Sequence, residues 1–134
     1  MIDSIPALLP DLSSLSEDLH AHPELSFAEH RTAGILADRL AALGYEVTTG
    51  VGGTGVVATL DNGEGPTVLI RADIDALPVQ EATGLAYAST VTAVNDAGET
   101  VPVAHACGHD LHATWLIGTA TVLAAHQDRW TGRL

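Results

Sequence analysis

The hydrophobic period of this chain changes at Gly44, and that change limits its fold more than any other feature. Before it, Ile5, Leu8, Leu9, Leu12, Leu15 and Leu19 form one helical stripe, and Ile35, Leu36, Leu40 and Leu43 a second. After it come "YEVTT" (45–49), "GVVATL" (55–60) and "TVLIRAD" (67–73), short β-branched segments separated by glycine turns, which read as strands. "HDLHATWLIGTATVLAAH" (109–126) then returns to a helix, with Asp110 as its expected N-cap. The order helix, helix, three strands, helix predicts an α/β layered domain with a sheet of mixed direction.

Local signals refine this outline. Pro10 predicts a kink in the first helix or a start near Asp11, and Pro23 closes it. "SFAE" (26–29) reads as a capping box opening the second helix, which Gly44 stops. The Asn-Gly of "DNGEGP" (61–66) predicts a hairpin between the second and third strands. The consecutive apolar residues of "VLI" suit a strand covered on both faces. Residues 78–102 read as one long connection, a length usually kept for function. "TGRL" at the end resembles a turn into a further strand.

At 134 residues and 46% hydrophobic, the chain suits one domain with a real core. Five basic residues, all arginine, stand against 17 acidic ones, for a net charge of -12. That balance argues against nucleic acid and anionic membranes, which both call for a basic face. No apolar run approaches the roughly 20 residues of a spanning helix. "MIDSIPALLPDL" lacks the basic start of a secretory signal, and a single cysteine makes no internal disulfide. The expected location is cytoplasmic.

The chemistry concentrates in "HACGHDLHAT" (105–114). Thiolate and imidazole are good ligands for zinc and similar ions, and Gly108 lets Cys107 and His109 converge. A structural zinc needs four protein ligands and a catalytic one at least three, so partners must come from elsewhere. Two other readings stand beside this one: a packed cysteine next to helix-capping histidines, and a Cys107 nucleophile with a histidine base. His112 follows His109 by one helical turn and suits a ligand, a substrate contact or a packed ring. His105 is equally open.

"RADIDALP" (71–78) is the second candidate. Asp73 and Asp75, two apart at a strand end, point the same way if the strand persists. They suit metal binding, or orientation of an imidazole through its N–H. A solvated acidic loop, with Arg71 paired to one of them, is the plainer alternative. His20, His22 and Glu24 in "LHAHPEL" could cluster, but Pro23 makes a helix end the simpler explanation.

Together, "LHAHPELSFAEHRTAGILADRLAALGYEV", "TGVVATL", "VLIRADIDALPVQEATGLAYAS" and "HACGHDLHAT" resemble, in order, the amidohydrolase branch of the M20 metallopeptidase family. The branch includes hydrolases of hippurate, N-acyl amino acids and auxin conjugates. The resemblance implies a three-layer α/β/α phosphorylase/hydrolase-like catalytic domain, of which residues 1–134 would be the N-terminal part. It implies two divalent metal ions (zinc, manganese, cobalt or nickel), with Cys107 and His109 as ligands and Asp75 in a supporting role. Asp73 and His112 are left as substrate contacts or as groups orienting the ligands. The family's Glu-Glu pair, which supplies the general base and a ligand, would follow "TGRL", as would two ligand histidines and a lid domain used for homodimers. The expected substrate is a small N-acyl amino acid or amide conjugate. The chain alone is expected to be inactive, and a non-catalytic remnant of the fold is the main alternative.

Overall fold

A computed structural model describes residues 2–134. Its regular elements are helices α1 (Ile5–Ala21), α2 (His30–Ala42) and α3 (His109–Ala124), and six short strands. These are β1 (Glu46–Val51), β2 (Gly55–Thr59), β3 (Asp61–Asn62), β4 (Thr92–Val94), β5 (Thr100–Pro102) and β6 (Gly132–Arg133). The architecture is mixed α/β. α1 packs on α3, while α2 packs on the β1–β2 hairpin.

The two apolar stripes meet in one core. Leu15 and Leu19 from α1, Leu36 and Leu40 from α2, and Ala113, Ile117 and Ala120 from α3 are buried together with Tyr45 and Leu60. Full burial of a side chain such as Leu19 or Ile117 is worth about 1.5–3 kcal/mol. The Tyr45 hydroxyl donates to the Ala120 carbonyl at 3.1 Å, so its polar end is not stranded in this core.

Several local expectations change. α1 runs through Pro10 as one helix. Pro10 removes the N–H that would bond the Pro6 carbonyl, but both prolines are exposed, where water can replace that partner. The capping box does not form, and α2 begins at His30 without a side-chain cap from its N-cap residue. Glu24 serves instead, its two carboxylate oxygens accepting the N–H groups of Arg31 (2.9 Å) and Thr32 (2.8 Å). The Glu24 carboxylate also suits the positive end of the helix dipole. Gly44 lies just beyond α2 with φ +89°, as a helix stop should.

The hairpin joins β1 to β2, in register from Glu46↔Thr59 to Val51↔Gly55 with an irregularity between Thr49 and Val51. The expected hairpin to residues 67–73 is absent. That segment makes only an isolated parallel bridge, Thr67↔Arg133, and Leu69 is 87% exposed. An apolar strand is held by neighbours on its edges and faces, and here β6 reaches only its first residues. The three regular ladders (β1–β2, β3–β6 and β4–β5) are all antiparallel, and parallel pairing appears only in isolated bridges. "TGRL" does enter a strand, β6, which pairs with β3.

Residues 78–102 are less featureless than expected, since they contain the β4–β5 hairpin. Its turn is built by Asn95, whose side-chain oxygen accepts the N–H groups of Ala97 and Glu99. Beyond it, Leu77 and Ala104 exchange two 3.0 Å backbone hydrogen bonds. That bridge carries "RADIDALP" to the start of α3.

Candidate metal centre

α3 starts immediately after Gly108, which has φ +74°. The left-handed region suits glycine, and the bend sets His109 at the first helical position. Asp110 is therefore not the expected N-cap; it lies buried in the first turn. His109 Nδ1 lies 2.9 Å from the Asp75 carbonyl oxygen and 2.9 Å from Asp75 Oδ1. Both are acceptors, so Nδ1 carries the proton and Nε2 keeps its lone pair for another partner.

The remaining donors gather on the same side. Atoms of Asp73, His109 and His112, one from each, lie within 4.8 Å of one another. The His109 and His112 rings, one turn apart, have centroids 5.2 Å apart, and Trp115 lies a further turn on, 5.9 Å from His112. Asp73 also pairs with the exposed Arg71, the partner expected from sequence. The Asp75 carboxyl is penalised by burial, yet the Ser26 hydroxyl and the neighbouring His109 outweigh this and hold its pKa below the usual value. One carboxylate and two imidazoles are a suitable set for a borderline divalent ion. Cys107 is exposed and lies outside this group. The structure thus brings together four of the five candidate site residues: Asp73, Asp75, His109 and His112.

A second constellation was not expected. His20 Nδ1 lies 2.8 Å from Asp110 Oδ2, and its Nε2 lies 2.9 Å from Glu81 Oε1. Side-chain exposure is 16% for His20 and 5% for each carboxylate. Burial opposes charge on His20, but the bonds to Glu81 and Asp110 prevail and raise its pKa. Glu81, bonded to His20 and Thr83, is lowered to about 2. His22 is not part of this network; it turns back to the Asp18 carbonyl at 2.8 Å. Nearby His105 is buried with neither ring nitrogen hydrogen-bonded, and burial lowers its pKa. Residues 20, 81 and 110 are too far apart for spacing to reveal; the only signal was the histidine pair of "LHAHPEL", which the proline explained more simply.

A helix-start histidine, oriented by one carboxylate and facing a second carboxylate and a second imidazole, defines an α/β protein with a divalent-metal donor set. A profile of "Peptidase family M20/M25/M40" matches residues 69–134. The hippurate hydrolase of Campylobacter jejuni is 40% identical over 126 residues, 93% of this chain and 30% of that protein. A Rhodococcus jostii protein provisionally named glutamate--cysteine ligase 2-3 is 48% identical over 109 residues, 81% of this chain but 13% of that protein. The crystal structure of Bacillus subtilis YXEP, described as a dinuclear metal binding peptidase from the M20 family, superposes with a TM-score of 0.82. It is 38% identical and covers 96% of this chain and 34% of its own. The chain belongs to the M20 peptidase family. It spans about a third or less of the length of these relatives.

Proposed function

We propose that residues 1–134 form part of the catalytic domain of a metal-dependent amidohydrolase acting on N-acyl amino acids or related amide conjugates. The observation that carries this reading is the orientation of His109. Asp75 holds its Nδ1–H, and the ring shares one group of potential ligands with Asp73 and His112. The kinship with a hippurate hydrolase, named for an N-acyl glycine, supports the substrate class.

The donor chemistry fits a divalent ion, with His109, His112 and Asp73 as the residues to hold it; the family resemblance adds Cys107, which lies outside their group. The family kinship supports two such ions; zinc, manganese, cobalt and nickel are the candidates suited to nitrogen, oxygen and sulfur donors. When bound, they would supply Lewis acidity towards an amide carbonyl and water. The protein's own part is orientation: Asp75 fixes the His109 tautomer, and the Leu77–Ala104 bridge holds the aspartate segment against the helix start.

A thiol mechanism gains little from the geometry, because Cys107 is exposed and lies outside the group formed by Asp73, His109 and His112. Chelation separates the two. Hippurate hydrolysis by the protein expressed from its native reading frame is expected to vanish after exhaustive EDTA dialysis and to return with added Zn²⁺, Mn²⁺, Co²⁺ or Ni²⁺. Activity that survives chelation but is lost on thiol alkylation would overturn the metal reading. The 1–134 chain alone is expected to bind metal weakly and hydrolyse nothing.

A further inference from the structure

The loop between α1 and α2 reaches across to the candidate centre. The Glu24 carbonyl accepts the Ala76 N–H at 2.8 Å, and Leu25 and Ala76 form a parallel bridge. The next residue, Ser26, donates its hydroxyl to Asp75 Oδ2 at 2.6 Å. The other oxygen of that carboxylate, Oδ1, is the one that accepts from His109 Nδ1. The hydroxyl, the carboxylate and the imidazole thus form one continuous chain.

The loop is held in place from both sides. Glu24 caps α2 through both of its oxygens. Phe27, at φ +63°, is the one non-glycine residue in the left-handed region among the described residues, and its N–H is taken by Glu29 Oε1 at 3.0 Å. Glu29 in turn accepts the Thr54 hydroxyl. A non-glycine residue in that region persists where its surroundings over-determine it. Ser26 is therefore presented to Asp75 by a loop anchored to α2, to the β1–β2 turn and to the aspartate segment.

We propose that Ser26 is a positioning residue for the centre: its hydroxyl fixes the Asp75 carboxylate, which together with the Asp75 carbonyl holds His109 with Nδ1 protonated. A carboxylate bonded through one oxygen alone can turn about its last torsion, which is broad. A second bond, to the other oxygen, removes that freedom. Solvent also reaches Ser26, so water can partly replace the hydroxyl, but a water is not fixed to the loop. This inference rests on the metal reading above only for its affinity consequence; the tautomer consequence is independent of it.

The test compares Ser26→Ala and Ser26→Thr with the parent, using the protein expressed from its native reading frame. In metal-free protein, long-range ¹H–¹⁵N correlation spectra report the His109 tautomer. The parent and Ser26→Thr are expected to show Nδ1–H alone, and Ser26→Ala an added minor Nε2–H fraction, since the Asp75 carbonyl remains as a second acceptor. Titration with Co²⁺ alone, followed by absorption, is expected to show about 10-fold weaker binding in Ser26→Ala, the low end for losing a group that orients a metal ligand. Rescue by Ser26→Thr, with an unchanged thermal midpoint for all three proteins, would complete the case. An unchanged tautomer in Ser26→Ala overturns the proposal. So does a lowered midpoint shared by both variants with no rescue. If the parent takes up no Co²⁺, the proposed function fails instead, and the tautomer spectra alone decide the role of Ser26.

Discussion

Two of the less exposed histidines among the described residues, His20 and His109, are held by carboxylates, and they are held differently. His20 is bonded at both ring nitrogens, by Asp110 and Glu81, and lies mostly buried. His109 is bonded at Nδ1 only, by Asp75, with its other nitrogen left for Asp73's neighbourhood. Two carboxylate partners favour a proton on both ring nitrogens of His20, in keeping with its raised pKa. Its lone pairs are spent, and it can act only as a clamp between α1, the 81–89 loop and the first turn of α3. One protein acceptor pair at a single nitrogen does the opposite for His109, leaving its other nitrogen without a protein hydrogen bond. The number of acceptors a histidine meets separates the fold's staple from its ligand.

Removing each ring should break that comparison most clearly. His20→Ala leaves the Asp110 and Glu81 carboxylates buried without their cation and is expected to cost about 3–5 kcal/mol. His109→Ala, which leaves Asp75 bonded to Ser26, is expected to cost only about 1 kcal/mol while abolishing metal uptake. Urea denaturation paired with Co²⁺ titration checks both. Equal stability losses would erase the distinction.

Backbone geometry should give a smaller effect. Gly108→Ala places a side chain at φ +74° and is expected to cost about 1–2 kcal/mol. There is open space around the added methyl, so the cost comes from backbone conformation alone, as denaturation midpoints can verify.

Proton linkage sharpens the comparison further. His20 has a raised pKa, so its contribution is complete below its ordinary value of 6.5 and is lost as pH climbs through the folded value. Glu81 is depressed from 4.5 to about 2, so its contribution is complete above 4.5 and fades as pH falls towards 2. The clamp is therefore strongest between these ordinary values, 4.5 and 6.5. The stability gap between the parent and His20→Gln should be widest there and narrower on the alkaline side; a gap independent of pH would show His20 to be neutral.

Much of this was legible from local pattern. The helical stripes became α1, α2 and the core, and the β-branched segments 45–49 and 55–60 became β1 and β2, because their signals depend on neighbours in sequence. His109, His112 and the aspartates stood out for the same reason. What stayed hidden depends on partners far along the chain. Ser26 read as a helix cap, since nothing local announced an aspartate 49 residues away. Asp110 likewise read as a cap, although its partner is His20, 90 residues distant. The segment 67–73 carries a strand's composition, but pairing is a property of the neighbour as much as of the segment, and β6 bonds only to its first residues.

That segment also governs how the molecule behaves in a tube. Val68, Leu69 and Ile70 form an uncovered apolar strip on a chain whose net charge is -12. In dilute buffer, mutual repulsion keeps such strips apart. Physiological salt shortens the reach of that repulsion to about 8 Å, and the strips then meet with little to hold them off. Self-association of the isolated 1–134 chain is therefore expected to rise with ionic strength, which light scattering against added salt would check.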